Sequence, residues 1–263
     1  LSVNLTAGSA SLNGNVKVGS LDTTKVGTTT LLAEVTITAD TGAVDLGELD
    51  GPHALTITAA GAVNLDGVDV QELTIIDAVN VTLDGIVHLP GDLLIAGAID
   101  GKVEINEDIA ADGDVTIGDG ATDEVDANAK IHGGGNVTIN ANDVTGAINI
   151  SELVSSDNGR VELKATTAIT FEFGSNVIGS DVPAGSTAGV TVNSASINVD
   201  AALHNDEGSL DLNATGTLDI DQSIEAGPEG SLTLAGVALT LATDADLTAG
   251  GDITVKNNLL LDV

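Results

Sequence analysis

The sequence predicts an all-β chain wound as a parallel β-helix, a β-solenoid with about 22 residues per coil. Three observations predict it. A pair of apolar residues flanking one polar residue recurs at a near-constant step: Val35/Ile37, Leu55/Ile57, Leu73/Ile75, Leu93/Ile95, Val115/Ile117, Val137/Ile139, Val161/Leu163, Val190/Val192, Leu210/Leu212, Leu232/Leu234 and Ile253/Val255. A second set trails the first by roughly 8 to 10 residues: Val44/Leu46, Val63/Leu65, Val81/Leu83, Ile148/Ile150, Ile169/Phe171, Ile197/Val199, Leu218/Ile220, Leu239/Leu241 and Leu259/Leu261. The hydrophobes are nearly all Val, Ile, Leu and Ala, with 2 Phe and no Trp, Tyr, Met or Cys. Such compact residues fill narrow, layered cores well.

The first set reads as one strand of each coil. Alternation with a polar residue puts the apolar pair inside and the polar residue outside. A strand this short buries too little to stand alone. Repetition at one period implies that each strand stacks on its copy in the next coil, and strands a full coil apart run in the same direction. The second set reads as a second strand, fitted poorly by the coils around Ile99 and Val125. A third, shorter apolar element shows in places, such as Ile224 in QSIEAG. Small polar and glycine residues turn the chain between them, as in LDG at 65–67 and 83–85 and AIDG at 98–101. An antiparallel sandwich is the alternative, but two-residue Asn-Gly or Asp-Gly hairpin turns are mostly absent between successive phrases. No segment sustains a 3.6-residue period. Two spans break the alternation, 118–134 and 174–189, and are expected to bulge from a single continuous solenoid over 1–263 as irregular loops.

Composition narrows the function. The net charge is −33, from 40 Asp and Glu against 7 Lys and Arg. That disfavours nucleic acid, whose phosphates need Lys and Arg to displace counterions, and it disfavours anionic lipid. It fits a solubilising coat, divalent-cation binding or a basic partner. No run reaches the roughly 18 apolar residues of a membrane span, so no membrane insertion is expected. The chain lacks cysteine, so it has no disulfide and no thiolate chemistry.

TLLAEVTITADTGAVDLGELDG (30–51), PHALTITAAGAVNLDG (52–67) and GSLTLAGVALTLATDADLTAGGDITVKNN (230–258) resemble the repeats of filamentous-haemagglutinin-type and giant β-strand-repeat surface adhesins. The resemblance covers most of the chain and is weakest at 118–134 and 174–189. It implies a right-handed parallel β-helix, secretion, and a role in adhesion, biofilm or filament architecture, with this chain corresponding to shaft. No counterpart of the secretion-signal domain is visible, and the chain is expected to be processed or part of something longer. The strand-like stretches LSVNL and NNLLLDV suggest end-to-end self-association or continuation in a longer chain. A cell-surface or glycan receptor is the external partner this reading implies.

Five constellations bear on chemistry. A glycan-processing or glycan-binding β-helix is the competing class. It is disfavoured by a single Arg, Arg160, and by the lack of aromatic platforms other than Phe171 and Phe173, which alternate with Ile169 as core residues do. Calcium is the one cofactor suggested: Asp119, Asp123, Glu124 and Asp126 cluster beside flexible glycine, as a hard cation prefers. Their spacing matches neither an EF-hand nor the calcium β-roll nonapeptide, and a solvated acidic loop is the plainer account. A ladder of Thr36, Thr56, Thr74, Thr116, Thr138, Thr191, Thr233 and Thr254 would resemble an ice-binding array, interrupted by Leu94, Glu104, Glu162 and Asp211. β-propensity of a branched polar residue explains it equally. His53, His88, His132 and His204 read as scattered corner residues. Sequons stand at Asn4, Asn80, Asn136, Asn149 and Asn213, all adjacent to inward residues and so expected to point outward.

Overall fold

The computed structural model describes residues 2–4, 8–172, 177–178, 189–205, 208–243, 245–256 and 259–261, with backbone only at 2–4, 177–178 and 259–261. The chain is a β-solenoid of about 11 turns with stacked coils about 21 residues apart, and it contains no helix among the described residues. At the ~4.8 Å spacing of paired strands, that stack is on the order of 50 Å long.

Each coil supplies up to three strands, one to each of three faces. Val115–Ile117 lies on the first face, Glu124–Ala127 on the second and Ile131–Gly133 on the third. Each pairs in parallel with its copy one coil on: Val115 with Val137, Val125 with Ile148, and Ile131 with Val154. In two coils the strand continues through the corners, with a shift of register between Gly51 and Ala54, so Val44–Ala59 and Val63–Ala78 each run across all three faces.

The apolar pairs point inward in register. Ile139 stacks between Ile117 and Leu163, and Leu212 between Val192 and Leu234, all of them fully buried. Phe171 fills the second face opposite Ile150 and Val199 and is also fully buried. Phe173 lies outside the described residues. The coils that fit the second set poorly are completed by Val103/Ile105 and by Val125/Ala127, all buried. Alanine at 127 fills the slot held elsewhere by Leu, Ile, Phe or Val, which is why that pair did not stand out.

The span 118–134 is not one loop. Residues 118–123 and 128–130 form corners; Glu124–Ala127 and Ile131–Gly133 are ordinary rungs of the second and third faces. Gly118 makes the corner with φ +74, and a Cβ there would lie 2.0 Å from the carbonyl oxygen of Asn140 in the next coil. The span 174–189 lies mostly outside the described residues; Val177–Ile178 is a strand pairing with Val154–Ser155 on the third face.

Corners are held by short polar side chains that reach one coil onward. Asp92 Oδ1 accepts the Asp114 N–H at 2.8 Å, and Asp114 Oδ1 accepts the Asn136 N–H at 2.6 Å. Asn136 Oδ1 then accepts the Arg160 N–H at 3.2 Å. At other corners Asn80 accepts from the Lys102 N–H at 2.9 Å and Asp108 from the Lys130 N–H at 3.1 Å. A backbone N–H turning out of the ladder needs such a partner. Part of the acidic composition is therefore corner chemistry.

Candidate functional site

The four acidic residues proposed from sequence do not converge. Asp119 closes its own turn: Oδ1 accepts the Ala121 N–H at 2.8 Å and Oδ2 accepts the Gly97 N–H at 2.6 Å. Asp123 accepts from the Thr145 hydroxyl at 3.1 Å. Glu124 and Asp126 lie on the second face, where the Asn149 amide donates to both, at 3.2 and 2.7 Å. Asp126 also forms an ion pair with Lys102 from the preceding coil. Among the described residues, no group of three or more His, Cys, Asp or Glu is placed to hold a metal ion.

Glu124 and Asp126 nevertheless titrate apart. Burial pushes the Glu124 carboxyl up, and the neighbouring Asp126 charge adds to it. Burial also acts upward on Asp126, but the hydrogen bonds from Lys102 and Asn149 outweigh it and hold that carboxyl below its ordinary value. The Asp126 bond raises Lys102 in turn. Two carboxyls driven in opposite directions are what acid–base catalysis uses. Here Asn149 bridges the two carboxyls and Lys102 holds Asp126, tying three coils together.

The rest of the second face shows the same pattern. Its central outward column includes Asp45, Asn64, Thr82, Glu104, Asp126, Asn149, Thr170, Asn198 and Asp219. An amide set beside a carboxylate supplies a donor in place of like-charge repulsion, as Asn64 does for Asp45 at 2.5 Å. On the first face the threonine ladder is real: Thr36, Thr56 and Thr74 are in register, then Leu94, Thr116, Thr138, Glu162, Thr191, Asp211, Thr233 and Thr254. The predicted interrupters Leu94, Glu162 and Asp211 occupy this column, whereas Glu104 belongs to the second face.

The histidines were misread. Three of the 4 are not at corners but mid-strand on the third face, in Val87–Leu89, Ile131–Gly133 and Leu203–Asn205. His88 and His132 occupy one outward column, separated by Ala110, and His204 takes the same central place in its strand. Each meets a carboxylate of an adjacent coil: His88 with Asp69 at 3.1 Å, His132 with Asp157 at 3.4 Å and His204 with Glu225 at 3.1 Å. His132 also meets the Ser155 hydroxyl at 3.0 Å. The signal was present in the apolar–His–apolar triplets VHL and IHG, each five residues before a first-face pair. His53 alone sits at a turn, where the register shifts between Gly51 and Ala54.

Shallow grooves lie between these columns. One of about 490 Å³ is lined by Glu48, Asp50, Asp66, Asp69, Ile86 and His88 on the third face. Another of about 360 Å³ is lined by Asn142, Lys164, Thr166, Asn193, Asn213 and Thr215, with no carboxylate. No family model, no curated protein and no solved structure matches the chain. No helix among the described residues is long and apolar enough to cross a membrane.

Proposed function

We propose that the chain is a non-enzymatic, extracellular β-solenoid shaft: a rigid acidic rod within an adhesin, filament or surface layer. The observation that carries this reading is where the polar atoms go. Asp92, Asp114, Asn136, Asn80 and Asp108 hold the backbone of the next coil, and Asp126, Asn149 and Lys102 hold one another. Polar groups committed to coil-to-coil stacking stiffen a quasi-one-dimensional array, in which each coil touches only its neighbours. The remaining charge keeps such rods dispersed, and calcium acts on it as a counter-ion bridging neighbouring rods. The external partner is a surface receptor. Negative-stain electron microscopy of the purified protein tests the reading. Straight rods on the order of 50 Å long per chain support it. Compact particles, or turnover of an acidic polysaccharide that is lost in Glu124→Gln, overturn it.

A glycan-binding reading has one observation in its favour. The groove around Lys164 and Asn193 offers amides, hydroxyls and one cation without a carboxylate, in a chain of 40 Asp and Glu. A glycan array probed with the native protein and with Asn193→Ala tests it: signal lost in the variant favours this reading, and no signal removes it.

A further inference from the structure

We propose that, among the sequons whose side chains are described, Asn80 is the one built to carry an N-linked sugar and Asn149 is closed to it. The modification forms a bond from Asn Nδ2 to the anomeric carbon of a phosphate-activated sugar. The carbon–oxygen bond to the phosphate breaks with its electron pair, and Nδ2 surrenders one of its two protons to a base of the transferase. An acceptor in the folded rod therefore needs an accessible Nδ2 whose hydrogens are not already committed, and a sequon hydroxyl within reach.

Asn80 meets those conditions. It is exposed at the corner between the first and second faces. Its Oδ1 accepts the Lys102 N–H at 2.9 Å, an interaction that survives glycosylation because the amide oxygen is unchanged. Its Nδ2 has no hydrogen-bond partner among the described residues. Thr82, the sequon hydroxyl, lines the same groove of about 310 Å³, whose wall also includes Asn64, Lys102 and Glu104. That size lies at the lower end of the ~300–1,000 Å³ range of small-molecule pockets. Its polar wall suits the hydroxyls of a first sugar ring.

The other described sequons are progressively less open. Asn136 is exposed, but its Nδ2 reaches Asp114 Oδ1 at 3.4 Å. Asn213 Nδ2 donates to Asn193 Oδ1 at 3.4 Å. Asn149 is blocked twice: both of its amide hydrogens go to Glu124 and Asp126, and its sequon hydroxyl, Ser151 Oγ, donates to Glu172 at 2.8 Å. Asn4 lies outside the residues whose side chains are described.

The test incubates the folded protein with a soluble sequon-specific N-glycosyltransferase and uridine-diphosphate glucose, then maps hexose by peptide mass spectrometry over time. Asn80 is expected to be modified at least about tenfold faster than Asn149, whose reaction must first break hydrogen bonds to carboxylates. In the denatured chain the two rates should converge. Asn80→Gln should remove the leading site without creating another. Equal rates at Asn80 and Asn149 in the folded protein would overturn the proposal, as would an unmodified Asn80 that reacts only when unfolded.

Discussion

The first and third faces of the coil are built on different terms. On the first face every described strand from Val35 to Leu234 buries two full-sized aliphatics, and the outward slot is mostly threonine. On the third face the strands shorten to about three residues, and the second inward position dwindles from Leu89 through Ala111 and Gly133 to Ser156. Its outward column carries the histidines, with Asp69 and Glu225 in line and Asp157 just past the strand end. The first face supplies the apolar burial. The third closes the coil with a narrow wedge. Lateral room explains the shrinking side chains: Val137 and Val115 crowd Gly133, and a Cβ there would meet their methyls at 2.9 and 3.3 Å.

Charge placed inside the first face should do the most damage. Ile139→Asp or Leu212→Asp buries an unpaired carboxylate in a fully apolar column and is expected to cost more than about 4 kcal/mol, enough to prevent folding of the neighbouring coils. On the third face, Gly133→Ala adds one methyl against rotatable valine ends and is expected to cost only about 1 kcal/mol. Denaturant melts of the two sets measure the contrast. Comparable losses would mean that the third face bears as much of the load as the first.

Between these extremes lies the second face, where packing and charge are mixed. Lys102→Met keeps the aliphatic stem but leaves Asp126 without its cation, beside Glu124 and Glu104. Only about a third of the Lys102 side chain and 17% of that of Asp126 are exposed, so solvent screens the pair incompletely. A loss of about 1–2 kcal/mol at neutral pH is expected after allowance for that exposure. The sign with pH follows from the two shifts. Asp126 is lowered, so its contribution is present above its ordinary 3.8 and is lost as pH falls through the folded value. Lys102 is raised, so its contribution is present below 10.5 and is lost as pH rises through the folded value. Urea melts of wild type and variant between those limits should run parallel and converge outside them.

The same contrast explains what could be read from sequence. The first face was legible almost residue by residue because two large aliphatics at fixed spacing leave a strong alternation. The second was legible except in the coils completed by Val103/Ile105 and by Val125/Ala127, and in the latter alanine replaces a larger residue. The third surfaced only in fragments such as Ile224, because its triplets with small inner residues look like turn sequence. The functional reading suffered at the same places. The stretch from Asp119 to Asp126 suggests a cation loop only because its carboxylates are close in sequence. In the fold, Asp119 and Asp123 belong to a corner, while Glu124 and Asp126 stand on a strand and face Asn149 and Lys102 one coil away on either side. Partners about 22 residues distant do not show in a local motif. The histidine column was missed for the same reason.

The smallest expected effect has the opposite sign and asks whether the second face is optimised throughout. Asp45 and Asp126 are each relieved by an asparagine one coil on, but Asp219 is not: burial pushes its carboxyl up, and the charges of Asp221 and Asp200 add to the rise. A raised carboxyl binds its proton more tightly in the folded chain than in the unfolded one. Stability therefore falls as pH climbs from the ordinary value of 3.8 through the folded value, and the penalty persists at neutral pH. Asp219→Asn keeps the shape and removes the charge, making this rung resemble the Asn149 and Asn64 rungs. Because the group is partly solvated, the gain should be only a few tenths of a kcal/mol, or about 1 °C in Tm. Thermal melts at pH 7 and pH 4 decide it. The variant should melt higher at pH 7, and its advantage should shrink toward pH 4 as wild-type Asp219 takes up its proton. An unchanged or lower Tm at pH 7 would show that the acidic rungs are already neutralised by their surroundings and that the relief at Asp45 and Asp126 is incidental.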